Sequence, residues 1–269
     1  MEVKVVLLTG GSSGIGAATA HLLASAGMKV YAGSRRGVID TPQEGIVPIV
    51  LDINDEDLTR KVVADIVEAE GHLDAVVCNA GNGIYGPVEG TTDQEARTQF
   101  ETTFFGNLKT IQACLPVFRS QGHGRIITVG SVMSVLQLPY QPFYSAAKAA
   151  LLSVTQSLVM ELQGTGIQCC CILPGDVSTR FTASRKKTLA AQKADSPYRE
   201  RMAKNLKQIE KDELGGMAPA AIGKHILRQL RKKHMAVRVV PRLDYKFVAF
   251  LIRICPTKLA LRILGALYN

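Results

Sequence analysis

Apolar residues along this 269-residue chain come in short runs separated by longer amphipathic stretches. The strand-like runs lie near 3–9, 28–33, 46–51, 74–78, 125–130, 167–173 and 235–240. Most are rich in Val, Ile and Leu and do not alternate apolar with polar. Strands covered on both faces of a parallel sheet read this way. Between them, stretches such as 14–26, 55–70, 92–121 and 145–163 repeat their apolar positions with helical spacing. Strand and helix alternating from end to end predict an α/β fold: a doubly wound parallel sheet of about seven strands with helices on both faces. No linker, low-complexity segment or internal repeat divides the chain, so residues 1–269 are expected to form one domain.

Two segments depart from the pattern. Residues 178–216 are highly charged and helical, and are expected to form a lid between two strands. Residues 243–269 read as an amphipathic extension that Pro256 breaks into two short helices.

Composition is that of a soluble globular protein, 46% apolar and 20% charged, and the length allows a substantial core. Charge changes the picture. The net +9 is unevenly placed: residues 180–269 hold 21 Lys/Arg against 6 Asp/Glu, and residues 1–179 hold 11 against 17. The basic third suits an anionic partner, a phosphate, an acidic carrier protein or a lipid surface, or it is simply a solvated helical face. No nucleic-acid motif accompanies it. The six cysteines form no C-x-x-C pair and the five histidines have no ligand spacing, so no metal site is expected. The cysteines read as small buried hydrophobes in a reducing compartment. The N-terminus runs directly into a strand rather than a signal peptide, and no run reaches the ~18 apolar residues of a spanning helix. The expected location is cytoplasmic, with membrane association open. The terminal helices read first as core packing; Lys246, Arg253, Lys258 and Arg262 also make them compatible with peripheral membrane contact.

The first strand ends in TGGSSGIG: Gly10, Gly11, Ser12, Ser13, Gly14, Ile15, Gly16. A strand, a tight glycine turn and a helix start form a seat for a dinucleotide pyrophosphate, the Rossmann pattern. Gly10 is free to adopt angles other residues avoid, Gly14 lets the main chain approach phosphate, and Gly16 lets the helix pack closely. The second strand ends in Ser34-Arg35-Arg36, where NAD-binding folds carry an acid. A carboxylate would repel a 2′-phosphate and an arginine binds it. Arg35, with Ser12 beside it, therefore points to NADP(H). Asp52, at the end of the third strand, serves either the adenine amino group or the cap of the next helix.

Tyr144 and Lys148 stand one helical turn apart, with Ser131 thirteen residues ahead of the tyrosine. A free tyrosine has a pKa of ~10. A nearby ammonium, together with the oxidised nicotinamide, is expected to lower it, so that Tyr144 exchanges a proton with a substrate oxygen that Ser131 holds.

The ordered set TGGSSGIG, CNAG at 78–81, GSV with Ser131, Tyr144 to Lys148, and PGDVST at 174–179 resembles the short-chain dehydrogenase/reductase family over about residues 3–240. Within it, KVYAGSRR, DAVVCNAGNGIYGPVEG and LPYQPFYSAAKAAL are most similar to the 17β-hydroxysteroid dehydrogenase type 1 and retinol dehydrogenase group. The resemblance implies a small apolar ketone or secondary alcohol as substrate, and a homodimer or homotetramer. It implies that Lys148 also holds the nicotinamide ribose. It adds Ile53, Asn79, Ala80, Gly81, Pro174, Gly175, Val177 and Thr179 to the cofactor-binding residues. Two other readings stand beside this one: a 3-oxoacyl carrier-protein reductase docked by the basic third, and a catalytically silent NADPH-binding regulator. The regulator reading rests on one departure. Thr103 takes the place of the family's usual asparagine, and Asn107, just after Gly106, is expected to face another side of the helix.

Overall fold

The computed structural model describes residues 2–268. Seven strands make the central sheet: β1 (Val5–Thr9), β2 (Lys29–Ser34), β3 (Ile46–Val50), β4 (Ala75–Cys78), β5 (Gly124–Val129), β6 (Ile167–Ile172) and β7 (Arg238–Val239). Every pairing is parallel, in the order β3-β2-β1-β4-β5-β6-β7. The chain builds outward from β1 to β3, then crosses back and builds the other way from β4. The reversal leaves a crevice beyond the carboxyl ends of β1 and β4, where open α/β sheets bind ligands.

The missing alternation has its cause in two cores. On one face Val5, Leu7, Val76, Ile126 and Cys169 pack with α2 (Glu56–Glu70), α4 (Gly106–Gln121) and α5 (Pro142–Glu161). On the other, Val6, Leu8, Val77, Ile127 and Cys170 pack with α1 (Gly14–Ser25) and α7 (Pro219–Arg231). Successive strand residues point to opposite faces, and both faces are dry. The cysteines of β6 fill these cores as small apolar groups, and burial pushes the Cys169 and Cys170 thiols up to about 12. No cluster of potential metal ligands occurs among the described residues.

Three features were not expected. The strand near 235–240 shrinks to the two residues of β7. Ile84–Tyr85 pairs in parallel with Lys186–Lys187, apart from the main sheet. The long helical stretch 92–121 is interrupted: α3 (Asp93–Phe100) leads through a π-turn at Glu101–Phe105 into α4.

Residues 178–216 end in α6 (Arg199–Leu214). The Tyr85 hydroxyl lies 2.8 Å from the Met202 carbonyl and 3.0 Å from Asn205 Oδ1, tying α6 to the loop after β4. The chain closes with α8 (Leu243–Ile254) and α9 (Thr257–Tyr268), separated at Cys255-Pro256.

Phe118, fully buried on α4, packs over Gly124 at the start of β5. Phe118→Ala is expected to lower stability by about 3–5 kcal/mol. The measurement is a urea melt, with the midpoint falling at an unchanged slope.

Candidate active site

The crevice at the sheet reversal begins with Thr9. Its hydroxyl oxygen accepts from the backbone N–H groups of both Asn79 and Ala80 at 3.0 Å. Asn79 Nδ2 donates back to the carbonyls of Thr9 (3.0 Å) and Gly10 (3.2 Å). The ends of β1 and β4 are thereby fixed side by side. Gly10 and Gly14 both have positive φ, +68° and +54°, which only glycine adopts freely. A Cβ on Gly16 would stand 2.0 Å from the Gly10 carbonyl oxygen, so no other residue fits there. Gly14 faces Thr179 across the groove, where a Cβ would lie 3.4 Å from its side chain.

These residues suit a dinucleotide. Ser13 stands at the start of α1 without capping it through its side chain, and the first turn carries no acid. The first N–H groups of α1 are left for an anion, which the helix dipole favours. Gly11 N–H donates to the Gly33 carbonyl at 3.0 Å and holds the turn against the end of β2, where Arg35 emerges exposed. Arg36 pairs instead with Asp40 at 3.6 Å, so the two arginines are not equivalent. Asp52 does not cap α2. Its Oδ1 accepts from Asn54 N–H at 3.0 Å, and Asp55 supplies the cap to Leu58 N–H at 2.9 Å. Ile53 is buried below, against Gly106.

On the β5 side, Ser131 starts a short 3₁₀ turn (Val132–Ser134), and its Oγ accepts from Met133 N–H at 3.1 Å. Pro142 opens α5, placing Tyr144 and Lys148 in its first two turns, both buried. Lys148 Nζ lies 5.9 Å from the Tyr144 ring centre and donates to the Val129 carbonyl at 2.6 Å. A Cβ on Gly81 would lie 3.6 Å from that nitrogen, so the ammonium reaches the Asn79–Gly81 loop. Serine, tyrosine and lysine from the end of β5 and from α5 thus meet the Asn79–Gly81 loop, which Asn79 bonds to the glycine turn.

Burial dominates both ionisable groups. It pushes the Tyr144 phenol up to about 12, against a hydrogen bond from Ser131 that draws it down. It pushes Lys148 down to about 8. The lowering expected from the lysine together with the oxidised nicotinamide does not arise in the protein alone, because loss of solvation outweighs the Ser131 hydrogen bond and the Arg185 charge that draw the phenol down.

Thr103 and Asn107 also differ from expectation. Residues four apart share a helix face, and the π-turn keeps them together. Both reach the loop after β4. Thr103 Oγ1 is 3.0 Å from Asn82 Oδ1 and accepts from Gln99 Nε2 at 2.6 Å. Asn107 Nδ2 donates to the carbonyls of Ala80 (3.0 Å) and Thr103 (2.9 Å). Asn107 is thus not turned away from the site. Its amide braces the loop and the wide turn together.

The sequence reading did not single out the residues above Tyr144. Phe181 lies on the Tyr144 ring, centroids 5.6 Å apart, and the Arg185 guanidinium sits 5.6 Å from the Phe181 ring. Arg185 pairs with Glu213 inside segment 178–216, and Thr182 Oγ1 donates to the same carboxylate at 2.6 Å. Tyr245 of α8 covers Gly175 and donates to Asp176, which ties the Pro174–Thr179 loop to the tail. Val177 is buried beneath that loop. No motif marks these contacts, which join segments far apart in the chain.

Comparison with known proteins agrees with this geometry. The family profile described as short chain dehydrogenase matches residues 4–190. The chain is 35% identical over 242 residues to 3-ketodihydrosphingosine reductase of Bacteroides thetaiotaomicron, covering 88% of this chain and 87% of that protein. It is 34% identical over 197 residues to human 17-beta-hydroxysteroid dehydrogenase type 1, covering 67% and 59%. A short-chain dehydrogenase from Streptomyces avermitilis superposes with a TM-score of 0.84 at 26% identity, over 98% of this chain and 96% of that one. With the glycine turn, the serine–tyrosine–lysine set and the sheet order in place, the chain belongs to the short-chain dehydrogenase family, NAD(P)-binding oxidoreductases of the doubly wound fold.

Proposed function

We propose that this protein is an NADP(H)-dependent oxidoreductase that interconverts an apolar ketone and a secondary alcohol, with Tyr144 as general acid and base. The observation that carries the reading is the meeting of Ser131, Tyr144 and Lys148 beside the glycine turn, under Phe181. The bound nicotinamide supplies or takes up the hydride. The protein handles the proton and the orientation. Ser131 holds the substrate oxygen by a hydrogen bond. Tyr144, protonated at neutral pH, gives its proton to that oxygen during reduction and takes one back during oxidation. Lys148 keeps its charge at neutral pH and favours the phenolate left behind. Its Nζ, against Gly81 and the Val129 carbonyl, is placed to hold a ribose hydroxyl as well.

Arg35 supports NADP(H) over NAD(H), since it is exposed at the end of β2 with no acid in the family's acidic position. An apolar substrate is supported by Phe181 on Tyr144 and by Tyr85 and Tyr140, which pack against Tyr198 and Met202 of segment 178–216. That segment acts as the lid. Among steroid-, retinoid- and lipid-like ketones, the Bacteroides relative puts a lipid-like ketone first.

Ketone reduction by Tyr144→Phe is expected to fall about 10²–10⁴-fold with NADPH binding retained by fluorescence titration. A rate indifferent to the change would remove Tyr144 from the role. Arg35→Ala is expected to raise the KM for NADPH about tenfold or more and leave that for NADH unchanged; a wild-type preference for NADH refutes the cofactor assignment. In the reductive direction kcat/KM should be level below about pH 8 and fall above it. Lys148, lowered to about 8, loses its proton there and with it the charge that assists Tyr144. A profile level to pH 10 contradicts that role.

A further inference from the structure

Each helix of the tail packs on the body with one face only. On α8 the inner face carries Tyr245, Val248, Ala249 and Ile252. The outer face carries Leu243, Phe247, Phe250, Leu251 and Ile254, one stripe at helical spacing. Phe247 is 60% exposed, Phe250 58% and Ile254 64%. On α9, Ala260 and Tyr268 turn inward, while Leu259, Ile263 (51%) and Leu267 (65%) form a second exposed stripe. Core packing, the first expectation for these helices, accounts for the inner faces alone. Contiguous exposed apolar surface of this kind marks an interaction site.

Charge says what covers it. Lys246 and Arg253, two turns apart, run along one edge of the α8 stripe, and Lys258 and Arg262 along one edge of the α9 stripe. All four are exposed. The one acid between residues 243 and 268 is Asp244, which is paired with Arg242. Lysine and arginine stems can lie along apolar surface while their charges reach a polar layer. A second copy of this chain fits less well, because a two-fold contact pairing these helices antiparallel would set the cations of both copies along the same edge. Each helix, of 12 residues, is about 18 Å long, short of the ~30 Å hydrocarbon layer. No helix among the described residues is long and apolar enough to cross a membrane.

We propose that α8 and α9 form an interfacial anchor for an anionic lipid bilayer, lying flat with both stripes in the boundary and the four cations at the headgroups. The anchor is joined to the site: α8 through Tyr245 to Asp176, and α9 through the Tyr268 carbonyl, which accepts from Asn205 of α6. The lid helix therefore stands beside the docked surface. The inference is independent of the substrate and cofactor.

The test is sedimentation of the full chain with vesicles, without catalysis. Vesicles of equal parts phosphatidylcholine and phosphatidylserine should carry the protein down, at least tenfold more tightly than phosphatidylcholine alone. Added salt should weaken binding. Lys246→Glu with Arg253→Glu, and separately Phe247→Ser with Phe250→Ser, should each lower it at least tenfold. All four positions are exposed, so circular dichroism and the melting midpoint should remain those of the wild type. Equal binding to both vesicles overturns the anionic assignment. Failure to bind either overturns the anchor; if Phe247→Ser with Phe250→Ser then dissociates an oligomer in sedimentation velocity, the stripes belong to a second copy.

Discussion

The Thr9 hydroxyl, accepting from Asn79 and Ala80, is the bond on which the site is built. It sits where the sheet changes direction and gives the Asn79 and Ala80 N–H groups, just past the end of β4, a shared acceptor. From there the connections run outward. Asn79 returns its amide to Thr9 and Gly10, which sets the glycine turn. The Ala80 carbonyl receives Asn107 Nδ2, which also holds the Thr103 carbonyl in the wide turn. Gly81 then lies against Lys148 Nζ. The glycine turn, the Asn79–Ala80 loop and the wide turn belong to one hydrogen-bonded unit, and Lys148 packs against it at Gly81. A shift at the sheet reversal would misplace both.

Two physical effects compete at Tyr144, and their sizes decide the resting state. Burial raises the phenol to about 12; the Ser131 hydrogen bond opposes it and loses. At Lys148 burial again wins and lowers the ammonium to about 8. Burial drives the two groups apart, Tyr144 up to about 12 and Lys148 down to about 8, yet at neutral pH both keep their protons. In the proposed mechanism the buried pair is thus poised to give a proton rather than take one. In that mechanism oxidation would need the phenolate, and burial opposes that form, so the direction would depend on how much positive charge the site gathers around the oxygen.

Most of the sheet was legible because a parallel strand buried on both faces leaves a dense run of Val, Ile and Leu. β7 was legible in place but not in extent, since only two residues of a run of six pair into the sheet. The Tyr144–Lys148 pair and the glycine turn were legible because each lies within a few consecutive residues. The π-turn was hidden because its cause is distant: Asn107 finds the Ala80 carbonyl 27 positions away. Periodicity cannot register such a bond, and the stretch 92–121 reads as continuous helix. The rise at Tyr144 in the protein alone was not legible for a related reason. Sequence supplies the neighbouring charge, but the depth of burial comes from Phe181 and the rest of the packing around it.

The tail shows how one segment meets two demands. Its inner faces close the structure: the Tyr245 ring fills the space over Gly175, and Tyr268 is held by Asn205, which also meets the Tyr85 hydroxyl. Those contacts need only one side of each helix. A helix that served packing alone would carry polar residues on its other side, where water would solvate them at no cost. Here that side carries Phe247, Phe250, Ile254, Ile263 and Leu267, edged by cations. The hydrophobic effect penalises such a surface in water, so its arrangement needs a second environment to explain it. Because Tyr245 and Tyr268 connect the same helices to the Pro174–Thr179 loop and to α6, whatever meets the outer faces also bears on the two segments that enclose Tyr144.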